Sequence, residues 1–196
     1  RNSIVSGLAG FFGEYPEMHA YTRHYFGKAV AATEPVGIVV PSAEWTDEFL
    51  DWSTEEDRTR ARRLNPSNGY VWWREGTVEG PIFGGTIPSI LHLAGTPYWY
   101  SLKDRIFFLD IPEGGPGEPL SLADMDVYLA DLDNLGVFAS IRGLIIGRPY
   151  RYTEEMRSTL REMIMRYVGA YAYPVLFDAN IGHAAPIITL PLDVSV

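Results

Sequence analysis

Arg105-Ile106-Phe107-Phe108-Leu109-Asp110 is the stretch on which the fold turns. Its four consecutive apolar residues fit a strand buried on both faces, and the Gly/Pro loop of residues 112–119 stops it. Ser121-Leu122-Ala123-Asp124 then opens a helix to about Leu135, with Asp124 as the acid of a weak capping box. The alternation continues downstream. Gly143-Leu144-Ile145-Ile146-Gly147 is a second buried strand, and Thr153-Glu154-Glu155 starts the longest helix, to about Val168, where Gly169 ends it. Val175-Leu176-Phe177 and Ile187-Ile188-Thr189-Leu190 close the chain as strands. Upstream, Tyr70 to Thr77 reads as an aromatic strand. Gly84-Gly85 precedes a helix from about Ile87 to Leu93, with Pro88 in its first turn and Gly95 as its C-cap. Strands alternating with helices predict an α/β domain with parallel pairing: a small mixed sheet with flanking helices.

The first third of the chain reads differently. A loop leads to a short helix around Tyr21 to Ala32, and Ile38-Val39-Val40 is an apolar run that Pro41 ends, expected as a strand. Ser53 or Thr54 is positioned to cap a helix with Glu55, Glu56 and Asp57 in its first turn and Arg58, Arg60, Arg62 and Arg63 in its last, the charge order the helix dipole favours. Asn65-Pro66-Ser67-Asn68-Gly69 stops it. The boundary falls here, dividing an extension of residues 1–66 from a compact domain of residues 67–196. The chain opens on Arg1 and runs directly into the apolar, Gly-punctuated stretch Ile4 to Phe12, as the interior of a longer polypeptide would; a fragment is expected.

With 196 residues, 46% hydrophobic and 13% aromatic, the chain can bury a core and is not compositionally disordered. A net charge of −9 argues against a sequence-independent grip on nucleic acid or an anionic membrane. The absence of cysteine excludes disulfides and thiolate metal sites and is compatible with a reducing cytoplasm. No apolar run is long enough to span a bilayer.

Of the four histidines, His183 is the candidate for chemistry. It lies in Asn180-Ile181-Gly182-His183-Ala184-Ala185-Pro186, between two apolar strands, and its small neighbours leave the ring accessible. A histidine that merely bonds a turn is the competing reading. Asp110 ends its strand at the carboxyl edge of a sheet, where an acid that orients a histidine would stand; Glu113 and Glu118 in the next loop are rivals. Gly84-Gly85 offers backbone N–H groups to an anion, or simply makes a tight turn. Trp52 is the tryptophan least embedded in an apolar run and the one free to stack on a planar ligand. His92 lies on an apolar helical face, and His19 and His24 are five apart, which suits no helical zinc pair; no metal or cofactor is expected. The eleven serines hold no Gly-x-Ser-x-Gly elbow, so an acid and a histidine are present without a convincing nucleophile.

Several segments together resemble the LD-carboxypeptidase family, which includes the microcin C immunity peptidases. Gly80-Pro81-Ile82-Phe83-Gly84-Gly85 followed by Leu91 to Pro97 is similar to its double-glycine and Gly-Thr signature. Arg105 to Asp110 resembles the strand that ends in its acid, Gly143 to Pro149 its Gly-Arg-Pro segment, and Gly182-His183 with Pro186 the segment of its histidine. Glu14-Tyr15-Pro16 and Ser42 to Phe49 resemble the immunity subgroup's interdomain link. The resemblance implies the C-terminal part of a two-domain Ser-His-Glu hydrolase. His183 would be the base and Asp110 would replace the family's glutamate, with Glu113 kept open; the serine, in a Gly-x-Ser-Asp turn upstream of the segment like Gly7 to Tyr15, would precede Arg1. It also implies a cytoplasmic homodimer acting on an L,D-muropeptide or an aminoacyl nucleotide, with Trp52 against the base and Arg148 on a carboxylate or phosphate unless it is a structural ion-pair partner. On this reading the 196 residues alone would be inactive. The alternatives are a non-catalytic binding module and a metal-dependent hydrolase built on His19 and His24.

Overall fold

The computed structural model describes residues 16–196 together with the backbone of Ile4–Val5; the readings placed on residues 6–15 lie outside the described residues. In chain order the elements are β1 (Ile4–Val5), α1 (Ala20–Ala31), β2 (Glu44–Trp45), β3 (Asn65–Pro66), β4 (Val71–Arg74), β5 (Ile82–Thr86), α2 (Ile87–Leu91) and β6 (Ile106–Asp110). The hairpin β7 (Glu113–Gly115) and β8 (Glu118–Pro119) follows, then α3 (Leu122–Asn134), α4 (Val137–Ser140), β9 (Gly143–Gly147), α5 (Glu154–Val168), β10 (Val175–Ala179) and β11 (Leu190–Pro191).

Five strands form the central sheet in the order β4-β10-β9-β6-β5. Three of its four pairings are parallel, and β4 runs antiparallel to β10 at the edge. The mixed sheet expected from the alternation is therefore present. Period-2 alternation divides β6 between two cores. Phe107 and Leu109 face α3 and α5, among Leu129, Leu132, Leu160 and Ile164. Ile106 and Phe108 face the other way, toward Tyr25 of α1 and Ile181, Ile188 and Leu192 of the C-terminal segment. Asp110 has the parity of Ile106 and Phe108, so its carboxylate is directed toward the layer that carries the loop after β10. Ser121 and Thr153 cap α3 and α5 as expected, accepting from the N–H groups of Asp124 and Met156.

Four local expectations change. Ile38–Val40 is not a strand: the Tyr25 hydroxyl accepts from the Val40 N–H at 3.0 Å and Tyr21 donates to the Val40 carbonyl at 2.9 Å, so side chains take the bonds a partner strand would have. The helix expected after Ser53 is two 3₁₀ turns, Trp52–Thr54 and Glu56–Arg58, because Glu55 adopts a left-handed φ of 57° between them. Glu48 draws Arg60 and Arg63 out of a helical path. Gly84 and Gly85 lie inside β5 rather than in a turn, and the strand expected over Ile187–Leu190 is reduced to Leu190–Pro191.

Candidate active site

The site begins with the parallel register of β5 and β6, which sets Thr86 opposite Asp110 at their carboxyl ends. Asp110 is 6% exposed and accepts a 2.7 Å hydrogen bond at Oδ2 from the Thr86 hydroxyl. Thr86 is also the residue before α2, yet its side chain makes no capping bond there. Gly84 permits this approach of the two strands: a Cβ at that position would collide with the carbonyl oxygen and ring of Phe108.

His183 reaches Asp110 from the loop that follows β10. Its Nδ1 lies 3.1 Å from each carboxylate oxygen, so Nδ1 carries the hydrogen that Asp110 accepts and Nε2 of the neutral ring keeps its lone pair. The imidazole is 38% exposed, whereas the carboxylate is almost wholly covered. The hydrogen bond to Asp110 raises the His183 pKa above its ordinary value; burial works against this, and the charges of Asp110 and Glu113 add to it. Gly182, at φ 103°, makes the contact possible, since a Cβ there would run into the Asp110 carboxylate.

Residues N-terminal to the central sheet clamp this loop. Thr46 and Ala185 exchange two backbone hydrogen bonds of 2.8 Å. Buried Asn180 accepts from the Ser42 N–H at 3.0 Å and donates to the Pro186 carbonyl at 3.2 Å. Thr22 of α1 accepts from the Ile187 N–H at 3.1 Å. Thr86 and Asn180 were not singled out from the sequence. Only the sheet register and the long-range contact with Ser42 give them their roles.

The other candidates are dispersed around this pair. Glu113 is exposed in the β7–β8 hairpin, near enough to influence His183 but without a hydrogen bond to it among the described residues. Arg148 follows β9 with its side chain 4% exposed; Nε and Nη2 each donate to Asp178 at 3.1 Å, and the guanidinium lies 4.7 Å over the Trp45 ring. It is thus committed to an internal ion pair, which Arg157 joins at 2.8 Å. Gly84 and Gly85 pair with Phe108 and Leu109 inside the sheet. Trp52 is 70% exposed. His19 accepts from the Tyr21 N–H at 3.2 Å, His24 packs edge-on against Tyr25, and His92 is exposed. Among the described residues, no group of three or more metal-ligating side chains converges and no serine is hydrogen-bonded to His183. An apolar hollow of about 240 Å³ lies at the opposite, amino ends of the strands, lined by Trp72, Val78, Leu144, Leu176 and Val196, and does not touch the pair. No helix among the described residues is long and apolar enough to cross a membrane.

Residues 79–196 match the family model of the LD-carboxypeptidase C-terminal domain. YocD of Bacillus subtilis, which carries the name of a carboxypeptidase, is 29% identical over 88% of this chain and 50% of its own length. The crystal structure of an MccF-like protein from Bacillus anthracis is 31% identical, with a TM-score of 0.74 over 89% of this chain and 51% of its own. The microcin C7 self-immunity protein MccF of Escherichia coli is 24% identical over 94% of this chain and 52% of its own length. A structure of MccF in complex with glutamyl sulfamoyl guanosine gives a TM-score of 0.80 at 22% identity, over 99% of this chain and 57% of its own. The chain spans about half the length of the curated relatives it matches.

Proposed function

This chain belongs to the LD-carboxypeptidase family, and on that premise we propose that it supplies the base and the acid of a serine amidohydrolase. His183 is the general base and Asp110 the acid that orients it. The observation that carries this reading is the 3.1 Å contact of His183 Nδ1 with Asp110, made beside the carboxyl ends of parallel strands with the imidazole partly open to solvent. Residues 1–66 are the end of an N-terminal domain and its linker, and residues 67–196 are the C-terminal domain. The serine comes from polypeptide outside these 196 residues, and alone they form a folded module that hydrolyses nothing.

In the assembled site, Nε2 takes the serine proton as the oxygen attacks an amide carbonyl carbon. Asp110 holds the ring in the tautomer that allows this and stabilises the imidazolium. The imidazolium then returns the proton to the nitrogen as the C–N bond breaks, and water, activated by the same histidine, releases the acyl group. Glu113 adds negative potential, while Gly84, Gly85 and Arg148 serve as framework behind the pair.

The substrate is the amide of an aminoacyl nucleotide rather than that of an L,D-muropeptide. Similarity to MccF, seen with glutamyl sulfamoyl guanosine, supports this choice, as does the indole of Trp52, 70% exposed and available for stacking on a base. The whole protein acts as a cytoplasmic homodimer. Mass spectrometry of the protein extended through its upstream domain, given an aminoacyl sulfamoyl adenylate and a muropeptide tetrapeptide, tests the assignment. Cleavage of the adenylate is expected, and none by the 196-residue chain or by a His183→Ala variant. Cleavage of the tetrapeptide alone would change the substrate class; cleavage of neither would remove the hydrolase reading.

A further inference from the structure

Thr86 stands at a point where two structural demands compete for one hydroxyl. It precedes α2, where a threonine ordinarily satisfies a free backbone N–H of the first turn. Here no such bond is made, and the hydroxyl donates to Asp110 Oδ2 at 2.7 Å. Asp110 in turn is equidistant from His183 Nδ1 through both oxygens, at 3.1 Å each. With both oxygens at the same distance, the contact with Nδ1 alone does not single out one of them as the acceptor. The bond from Thr86 removes that ambiguity by tying one oxygen to the neighbouring strand. On the far side, Gly182 admits the carboxylate so closely that no side chain fits there.

We propose that Thr86 is a positioning residue for the acid–base pair: its hydroxyl fixes the plane of the Asp110 carboxylate and thereby the ring orientation and basicity of His183. The role rests on the reading of His183 as the base, but its physical content does not require the nucleophile. The hydroxyl is the part of the side chain that bonds the pair. Valine keeps the volume and removes the hydroxyl, whereas serine keeps the hydroxyl and removes the methyl, so the two substitutions separate positioning from packing.

The test is an NMR pH titration of the His183 imidazole in the 196-residue chain, in the parent and in Thr86→Val, Thr86→Ser and Thr86→Ala. In Thr86→Val the carboxylate turns away from Nδ1, and the His183 midpoint falls toward the ordinary histidine value near 6.5 by about half a unit or more. Exchange of the Nδ1 hydrogen accelerates with it. Thr86→Ala behaves like Thr86→Val, and Thr86→Ser restores both readouts. An unchanged or raised midpoint in the valine and alanine variants, or failure of serine to restore it, overturns the assignment. Alanine supplies the answer if valine disturbs the fold, which the amide spectrum of the remaining residues reports. In the full-length protein the acid limb of the kcat/KM profile shifts in the same direction. A chain that gives the NMR result while the full-length protein cleaves no amide would separate the positioning role from the hydrolase reading.

Discussion

At His183 the balance of forces has a definite sign. Its pKa is raised by the hydrogen bond to Asp110, against the cost of burial. A histidine whose folded pKa lies above its unfolded value adds stability that is fully present below about 6.5 and is lost as pH rises through the folded value. Asp110→Asn removes the acceptor charge, so the His183 midpoint falls and this low-pH increment of stability disappears. Thermal melts of parent and variant should therefore differ most at acidic pH and converge in alkali. Gly182→Ala acts on the same pair from the other side. Its φ of 103° and the adjacent carboxylate both oppose a Cβ, which predicts a loss of about 1–3 kcal/mol in urea unfolding together with a lowered His183 midpoint. Both residues were legible in the sequence, because a strand-end acid and a Gly-His pair in a loop are local patterns. Thr86 was not, since its partner lies 24 residues away across a strand pairing.

At the scale of elements, the loop after β10 is held by buried polar groups. Asn180 joins the Ser42 N–H to the Pro186 carbonyl, tying the segment before β2 to the one that bears His183. Asn180→Ala strands two buried groups and should cost about 1–3 kcal/mol, with faster hydrogen exchange at Ser42 and at Thr46 and Ala185, which bond each other. Arg148 is held more firmly still. Arg148→Ala leaves Asp178 with Arg157 alone inside the protein and should cost about 3–5 kcal/mol, measured as a drop in the urea midpoint. Strands β6, β9 and β10 and helices α3 and α5 could be read in advance, because apolar runs and caps declare them. The segment Ile38–Val40 and the residues after Ser53 could not. There the backbone answers to distant partners, the hydroxyls of Tyr21 and Tyr25 in one case and the carboxylate of Glu48 in the other, and neighbouring residues carry no trace of them.

For the whole molecule, the sheet serves as a frame that delivers an acid and a base to one edge from positions 73 residues apart. The domain family was recognisable from the order of several individually weak motifs, and residues 79–196 match it. The nucleophile is the part of the site that lies outside these residues in the proposed assembly. The most direct test of the Asp110–His183 pair is the pH dependence of kcat/KM for amide cleavage by the protein extended through its upstream domain, in parent and Asp110→Asn forms. The parent should show an acid limb raised from the ordinary histidine value. The variant should show it displaced to lower pH, with a plateau reduced by roughly 10²–10⁴, as expected when a triad histidine loses its orienting acid. An acid limb and plateau that ignore the substitution would contradict the assignment of Asp110 and His183 as the catalytic pair.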